Sequence, residues 1–256
     1  EQEIIFHKGM RRVDFKTSVN WQEDHKLWKV AFPVDLISTK ATYEIPFGAL
    51  ERSTTNNTSW DQAQYEVCGH RWADISEGGY GVSLLNDCKY GYDIKEGVMR
   101  LSLLRSPKWP DKHADLGFHE FTYSLYPHRG NWREAKVVHA AVELNQPVVV
   151  ESAEIQPGVL PSEGSFLQLL SDNVILDTMK MAEDGSGIIL RFYESSGARE
   201  QIRLQWKFPV AKASIVNLLE EELEETPVNG GEVVLDFHPY EIKSLKLIHE
   251  VGCFKE

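Results

Sequence analysis

Alternation of apolar and polar residues with a period of two runs along most of this chain, and it restricts the fold more than any other feature. Val13, Phe15, Val19 and Trp21 alternate with Asp14, Lys16, Ser18 and Asn20. His119, Phe121, Tyr123 and Leu125 alternate in the same way with Glu120, Thr122, Ser124 and Tyr126. Ile188, Leu190 and Phe192, then Ile202, Leu204, Trp206 and Phe208, predict two strands joined by a hairpin turn at Ser195-Ser-Gly-Ala198. Val233, Leu235 and Phe237, followed by Ile242, Leu245 and Leu247, read as strand again. No sustained helical stripe stands out. The expectation is an all-β chain with sheets packed face to face.

Prolines and glycines punctuate the chain near 145–165, at Gln146-Pro147 and Pro157-Gly-Val-Leu-Pro161-Ser-Glu-Gly164. They predict a large β-sandwich portion over 1–150 and a C-terminal β-strand region over 151–256 that completes or follows it. A length of 256 residues holds one large all-β domain or two ordinary ones.

Charge narrows the partners. A formal net charge of -12 argues against a nucleic acid or an anionic membrane, which require a basic surface. Part of that charge lies in Glu220-Glu-Glu-Leu-Glu-Glu225, read as a solvated loop or short helix. No segment reaches the length of a membrane span, and no secretory signal opens the chain. Cys68, Cys88 and Cys253 are few and odd in number, which favours a reducing compartment, hence the cytoplasm. No CxxC pair is present for a thiolate zinc site. The sequons at Asn56 and Asn57 do not decide the compartment.

Nucleophile signatures are missing: there is no G-x-S-x-G, and neither serines nor cysteines sit in an elbow or Cys/His motif. His113, Asp115 and His119 share parity in an extended chain, but residues four apart on one strand lie ~13 Å apart, so a metal would need the chain to fold back. Glu44, Glu66, Asp74, Glu77, Asp87, Asp115 and Glu120 offer carboxylates, yet no spacing selects a pair for glycoside hydrolysis.

A sugar-binding composition is easier to find. Trp60, Trp72, Tyr80, Tyr90, Tyr92, Trp109 and Trp132 lie among polar residues in the first 132 positions. Aromatic faces cover the apolar side of a pyranose while planar polar groups bond its hydroxyls; the alternative is that these rings fill a sandwich core. Ser76 to Asp93 reads as a strand, Val82-Ser-Leu-Leu85, bordered by glycine-rich loops carrying Asn86, Asp87, Lys89 and Tyr90. Arg105 shares parity with Met99, Leu101 and Leu103 and so extends an apolar face just before Pro107. An arginine there needs a carboxylate, a ligand or solvent.

These stretches resemble a known family. Tyr43-Glu-Ile-Pro-Phe-Gly48, Asn57-Thr-Ser-Trp-Asp61, His70-Arg-Trp-Ala-Asp-Ile-Ser-Glu77 and Gly79-Tyr-Gly-Val-Ser-Leu-Leu-Asn-Asp-Cys-Lys-Tyr-Gly91 are similar to the C-terminal region of glycoside hydrolase family 38 α-mannosidases, in the cytosolic-type branch. Ala114-Asp-Leu-Gly-Phe-His-Glu-Phe-Thr-Tyr123, Pro127-His-Arg-Gly-Asn-Trp132, Ala182-Glu-Asp-Gly-Ser-Gly-Ile-Ile-Leu-Arg-Phe-Tyr-Glu194 and Phe237-His-Pro-Tyr-Glu-Ile-Lys-Ser-Leu-Lys246 continue the likeness in order.

The resemblance implies a β-sandwich (supersandwich-like) domain followed by a second, smaller β-sandwich region. It implies a retaining, zinc-dependent mannosidase whose nucleophile and metal ligands lie in an N-terminal catalytic domain, followed by a helical domain, neither matched here. Zinc would then belong to the full-length enzyme and not to this fragment, which alone would be inactive. The partners implied are those N-terminal domains and an α-mannoside oligosaccharide, with homo-oligomer formation compatible. Asn86, Asp87, Tyr90 and Arg105 are carried over as substrate-binding candidates, with no catalytic and no metal residue in the chain. The rival reading is a stand-alone carbohydrate-binding or scaffolding β module without catalysis.

Overall fold

The computed structural model describes residues 1–154, 158 and 161–249. The chain separates into two compact units, Glu1–Val149 and Val150–Glu256.

In the first unit the elements follow as β1 (Gln2–Phe6), β2 (Val13–Trp21), β3 (Leu27–Pro33), β4 (Lys40–Ile45), β5 (Gly48–Ser53), α1 (Ser59–Ala63) and β6 (Val67–Cys68). Then come β7 (Trp72–Ser76), β8 (Tyr80–Asn86), β9 (Gly91–Lys95), β10 (Val98–Arg105), β11 (Gly117–Arg129) and α2 (Val137–Asn145). They form a seven-stranded sheet, β1-β2-β11-β8-β7-β4-β5, and a four-stranded sheet, β3-β10-β9-β6. Between them lies a core that includes Tyr43, Ile75, Leu84, Tyr92, Ile94, Met99, Leu101, Phe121 and Tyr123. This is the sandwich that alternation predicts.

The outer face of the large sheet departs from simple alternation. Trp72, Asp74, Ser83, Leu85, Ser124 and His128 face away from that core and are buried too. The cause is α2, nine residues that the period-two reading passed over, which packs on β7 and β8. Its Val137, Val138 and Ala141 are buried, and Trp132 lies 4.9 Å from Trp72, ring centre to ring centre. Polar residues under it must be paired. Asp74 takes His128 Nε2 at 2.7 Å and Ser83 Oγ at 2.7 Å. Asp14 accepts from Arg12 Nε and Ser124 Oγ, each at 2.7 Å. Gly81 sits across from His128 on the neighbouring strand, where a Cβ would fall 2.4 Å from His128 Cε1.

The second unit holds β12 (Leu167–Leu170), β13 (Val174–Met181), β14 (Ile188–Glu194), β15 (Glu200–Trp206), β16 (Val210–Val216), β17 (Glu222–Thr226), β18 (Glu232–Phe237) and β19 (Ile242–His249). Their sheets are β12-β15-β18 and β13-β14-β19-β16-β17, closed over Leu190, Phe192, Ile202, Leu204, Val233, Leu235, Leu245 and Leu247. The turn at Ser195–Ala198 is not the expected hairpin: β14 and β15 do not pair but lie in different sheets, so it carries the chain from one sheet to the other. Glu194 fixes it, its carboxylate accepting from the backbone N–H groups of Ser196, Gly197 and Tyr240. Of the acidic run only Glu220 and Glu221 are loop: Glu222–Thr226 forms edge strand β17, where Lys212 Nζ meets Glu222 at 2.6 Å. An edge strand keeps one side in water, so its charges cost little.

Candidate functional site

The antiparallel registers bring five connections to one end of the first sandwich: 22–26, 46–47, 69–71, 87–90 and 106–116. Trp72 pairs with Leu85 and Gly117 with Trp21, so β8 ends where β7 begins and β2 ends where β11 begins. Cys68 pairs with Gly91 and Arg105 with Leu27, so β6 and β10 end where β9 and β3 begin. Asn86, Asp87, Tyr90 and Arg105 all stand at this end.

Asn86 is fully buried. Its Nδ2 donates to the His70 carbonyl at 2.9 Å and to Tyr92 Oη at 2.5 Å, while its Oδ1 accepts from Lys89 N at 2.6 Å. Its own carbonyl accepts from Asn145 Nδ2 at 3.0 Å. In this unit, therefore, Asn86 fixes the 87–90 loop against the 69–71 loop and α2. Burial keeps the Tyr92 hydroxyl protonated, well above the usual tyrosine range, despite the Asn86 bond that pulls the other way.

Asp87 bonds the middle of β11 in both directions. Its backbone N–H donates to the Thr122 carbonyl at 3.1 Å, and its Oδ2 accepts from Thr122 N at 2.8 Å. Its Oδ1 is buried and has no hydrogen-bond partner among the described residues. Tyr90 is half exposed, its ring 5.1 Å from the His70 ring. The Tyr90 carbonyl accepts from Gly69 N at 3.1 Å, which holds that ring at the sandwich mouth.

Arg105 does not extend the apolar face. A register shift between Ser102 and Leu104 in the pairing of β10 with β3 puts both Leu103 and Leu104 inside and turns Arg105 out. A bulge inserts one residue and inverts the parity of everything after it. The Arg105 backbone N–H donates to Asp115 Oδ2 at 2.7 Å, and its guanidinium has no ion-pair partner among the described residues. It lines a cleft of about 300 Å³ with His25, Lys26, Leu27, Glu66, Ser106 and Pro107. Glu66 there meets Lys29 Nζ at 3.1 Å and accepts from Ser102 Oγ. Arg105 thus shares the loop end with Tyr90 but opens on a different wall. Spacing ranks Glu66 no higher than the other candidate carboxylates and does not mark His25, because only tertiary pairing brings 25, 66 and 105 together.

The other sequence candidates separate. Trp72, Tyr92 and Trp132 are core rings, whereas Trp60 and Trp109 are each 82 % exposed. The chain does fold back at 111–116, but His119 Nε2 meets the Asp115 carbonyl at 2.9 Å and the Asp115 carboxylate holds Arg105 N. Among the described residues no group of three or more His, Cys, Asp or Glu could hold a metal ion. Ser83, His128 and Asp74 lie together without forming a nucleophilic triad: Ser83 Oγ and Asp74 Oδ2 both address His128 Nε2, and all three are buried. Among the described residues no helix is long and apolar enough to cross a membrane. Cys68 and Cys88 carry no disulfide; Cys253 lies outside the described residues.

Comparison with known proteins places this geometry in context. Residues 1–113 match the glycosyl hydrolases family 38 C-terminal domain, and residues 173–245 match the glycosyl hydrolases family 38 C-terminal beta sandwich domain. The chain is 44 % identical over 253 residues to alpha-mannosidase 2C1 of Mus musculus, covering 96 % of this chain and 24 % of that protein. It is 42 % identical over 251 residues to alpha-mannosidase G of Dictyostelium discoideum, covering 96 % and 23 %. An alpha-mannosidase from Enterococcus faecalis V583, solved by crystallography, shares the fold with a TM-score of 0.80 at 18 % identity, over 95 % of this chain and 28 % of that one. The chain thus spans about a quarter of the length of the curated relatives it matches.

Proposed function

Since this chain belongs to the C-terminal β region of glycoside hydrolase family 38, we propose that it is the β portion of a retaining α-mannosidase and completes the sugar site of a longer chain. The complete enzyme would hydrolyse terminal α-D-mannosides of oligosaccharides, with its nucleophilic carboxylate outside these residues. Zinc, which the resemblance implies, finds no fitting donor set among the described residues: His119 Nε2 bonds the Asp115 carbonyl and the Asp115 carboxylate holds Arg105 N, so the three side chains of His113, Asp115 and His119 do not converge on one point. No step of the reaction is assigned to a metal in this chain.

The carrying observation is the unpaired guanidinium of Arg105 at the mouth of the first sandwich. A planar donor fork without a protein partner suits two neighbouring sugar hydroxyls. Tyr90 supplies an exposed ring face at the same end. Asp87 Oδ1 is an acceptor still lacking its hydrogen bond, which a hydroxyl or an ordered water would satisfy. Asn86 supports them from beneath. The partners are the N-terminal catalytic and helical domains of the same polypeptide. Free Cys68 and Cys88 support a cytoplasmic location.

The test is hydrolysis of an aryl α-mannoside with zinc by the 256-residue chain alone, and by the same chain mixed with the N-terminal part of the enzyme. Activity in the mixture alone, weakened by Arg105→Ala, supports the proposal. Zinc-dependent turnover by the isolated chain overturns it. Silence of the mixture while the chain alone binds mannosides favours a non-catalytic sugar-binding module.

A further inference from the structure

A second polar cleft lies in the second unit, at one end of its three-stranded sheet, and no role has been given to it. It measures about 370 Å³ and is lined by residues of three strands and of the turn before β18, Phe166, Gln168, Gln205, Trp206, Asn229 and Glu232 among them. The registers explain its floor. Gln168 pairs with Gln205 and Gln205 with Glu232, so three polar side chains stand abreast on one face of adjacent strands. Trp206 pairs with Leu167 on the opposite parity and belongs to the core.

The groups differ in how far they are already committed. Arg203 Nη1 lies 3.2 Å from Glu232 Oε1 and neutralises it, while Gln205 Nε2 donates to Glu232 Oε2 at 2.6 Å. That leaves Gln205 with its carbonyl oxygen. The amides of Gln168 and Asn229 are on exposed residues and have no side-chain hydrogen bond among the described residues. Gly230 and Gly231 turn the chain with φ of 60° and 82° and close one wall without side chains; a Cβ on Gly231 would stand 3.1 Å from the Trp206 carbonyl. Trp206 Nε1 is buried on the core side of the same strand and has no hydrogen-bond partner among the described residues, so it can report on the strand that floors the cleft. At the rim Phe166 is 69 % exposed, with its carbonyl held by Lys207 N at 3.3 Å.

We propose that this cleft is a saccharide-binding subsite that takes one hexose residue. Uncommitted amides are donors and acceptors for vicinal hydroxyls, and an exposed phenyl ring covers the apolar face of a pyranose. The volume admits a small ligand and no more. An anion fits less well, because a carboxylate sits in the floor with its own arginine already beside it. The subsite is separate from the loop end of the first sandwich and uses none of its residues.

The experiment is titration of the ¹⁵N-labelled 256-residue chain with methyl α-mannoside and with methyl α-glucoside. The Trp206 indole N–H and the Gln168 side-chain amide signals are expected to shift and saturate at about 1–10 mM, the range of a few-contact site. Phe166→Ala combined with Gln168→Ala, both exposed and so tolerated by the fold, should weaken binding at least about tenfold. Arg105→Ala should leave these signals and their saturation unchanged, which separates this subsite from the first. Unmoved Trp206 and Gln168 signals with both sugars, or equal shifts in the double variant, overturn the proposal.

Discussion

The side-chain amide of Asn86 donates to the hydroxyl of Tyr92 inside the first sandwich, linking the strand before the 87–90 loop to the strand after it. The two strands belong to different sheets, so this bond spans the core at the mouth of the site. Asn86→Ala would strand the Lys89 N–H and deprive the His70 carbonyl and Tyr92 hydroxyl of a donor. The expected loss is about 2–3 kcal/mol, read as a lower urea midpoint with an unchanged m-value. An unchanged midpoint would mean that the amide contributes nothing to the loop.

Arg105→Ala has the opposite profile. The guanidinium is exposed and unpaired among the described residues, so its removal should leave the midpoint within about 0.5 kcal/mol of the parent. In the complete enzyme, kcat/KM for an α-mannoside should fall roughly 10- to 100-fold, the loss of one charge-assisted hydrogen-bonded contact. Arg105→Lys should restore only part of it, because an ammonium lacks the planar fork. Equal rates for all three would remove Arg105 from the site.

Gly81→Ala should destabilise the first unit by about 1–3 kcal/mol, since the new methyl meets His128 Cε1 at 2.4 Å and Ser76 Oγ at 2.5 Å. Combining it with His128→Ala relieves the imidazole part of the clash, leaving only Ser76 Oγ, so the double variant should lose less than the sum of the singles. Strict additivity would place the strain elsewhere.

Asp14 gives the first unit a pH dependence. Burial pushes its carboxyl up, but hydrogen bonds from Ser124, Arg12 and His7, with the Arg12 charge, outweigh it and hold the group below its ordinary value. A carboxyl depressed in the folded state contributes stability above its unfolded pKa of about 3.9 and loses it as pH falls through the folded value. Urea unfolding of the parent should therefore weaken between pH 6 and pH 3 by more than that of Asp14→Asn. Parallel curves would show that Asp14 is not depressed.

Much of this architecture is legible locally. Val13 to Trp21, His119 to Leu125 and the pair around Ser195–Ala198 are strands because each needs only its own alternation and turn residues. The loop Asp87–Tyr90 could be marked as chemically capable for the same reason. Parity failed at Arg105, where one bulged residue reverses inside and outside. Reading the acidic run from its charge failed too, because Glu222–Thr226 pairs along a sheet edge.

By itself, then, the sequence determined that the chain is built of alternating strands and which loops carry polar and aromatic side chains, because both are written in neighbouring residues. Tertiary structure decided which polar groups are spent and which are free. Asp14 meets Ser124 across 110 positions and Asn145 reaches the Asn86 carbonyl across 59, under a helix that alternation does not announce. Whether a buried amide serves a ligand or its own fold depends on such distant partners, since a hydrogen bond made inside the protein is one no longer available to a sugar.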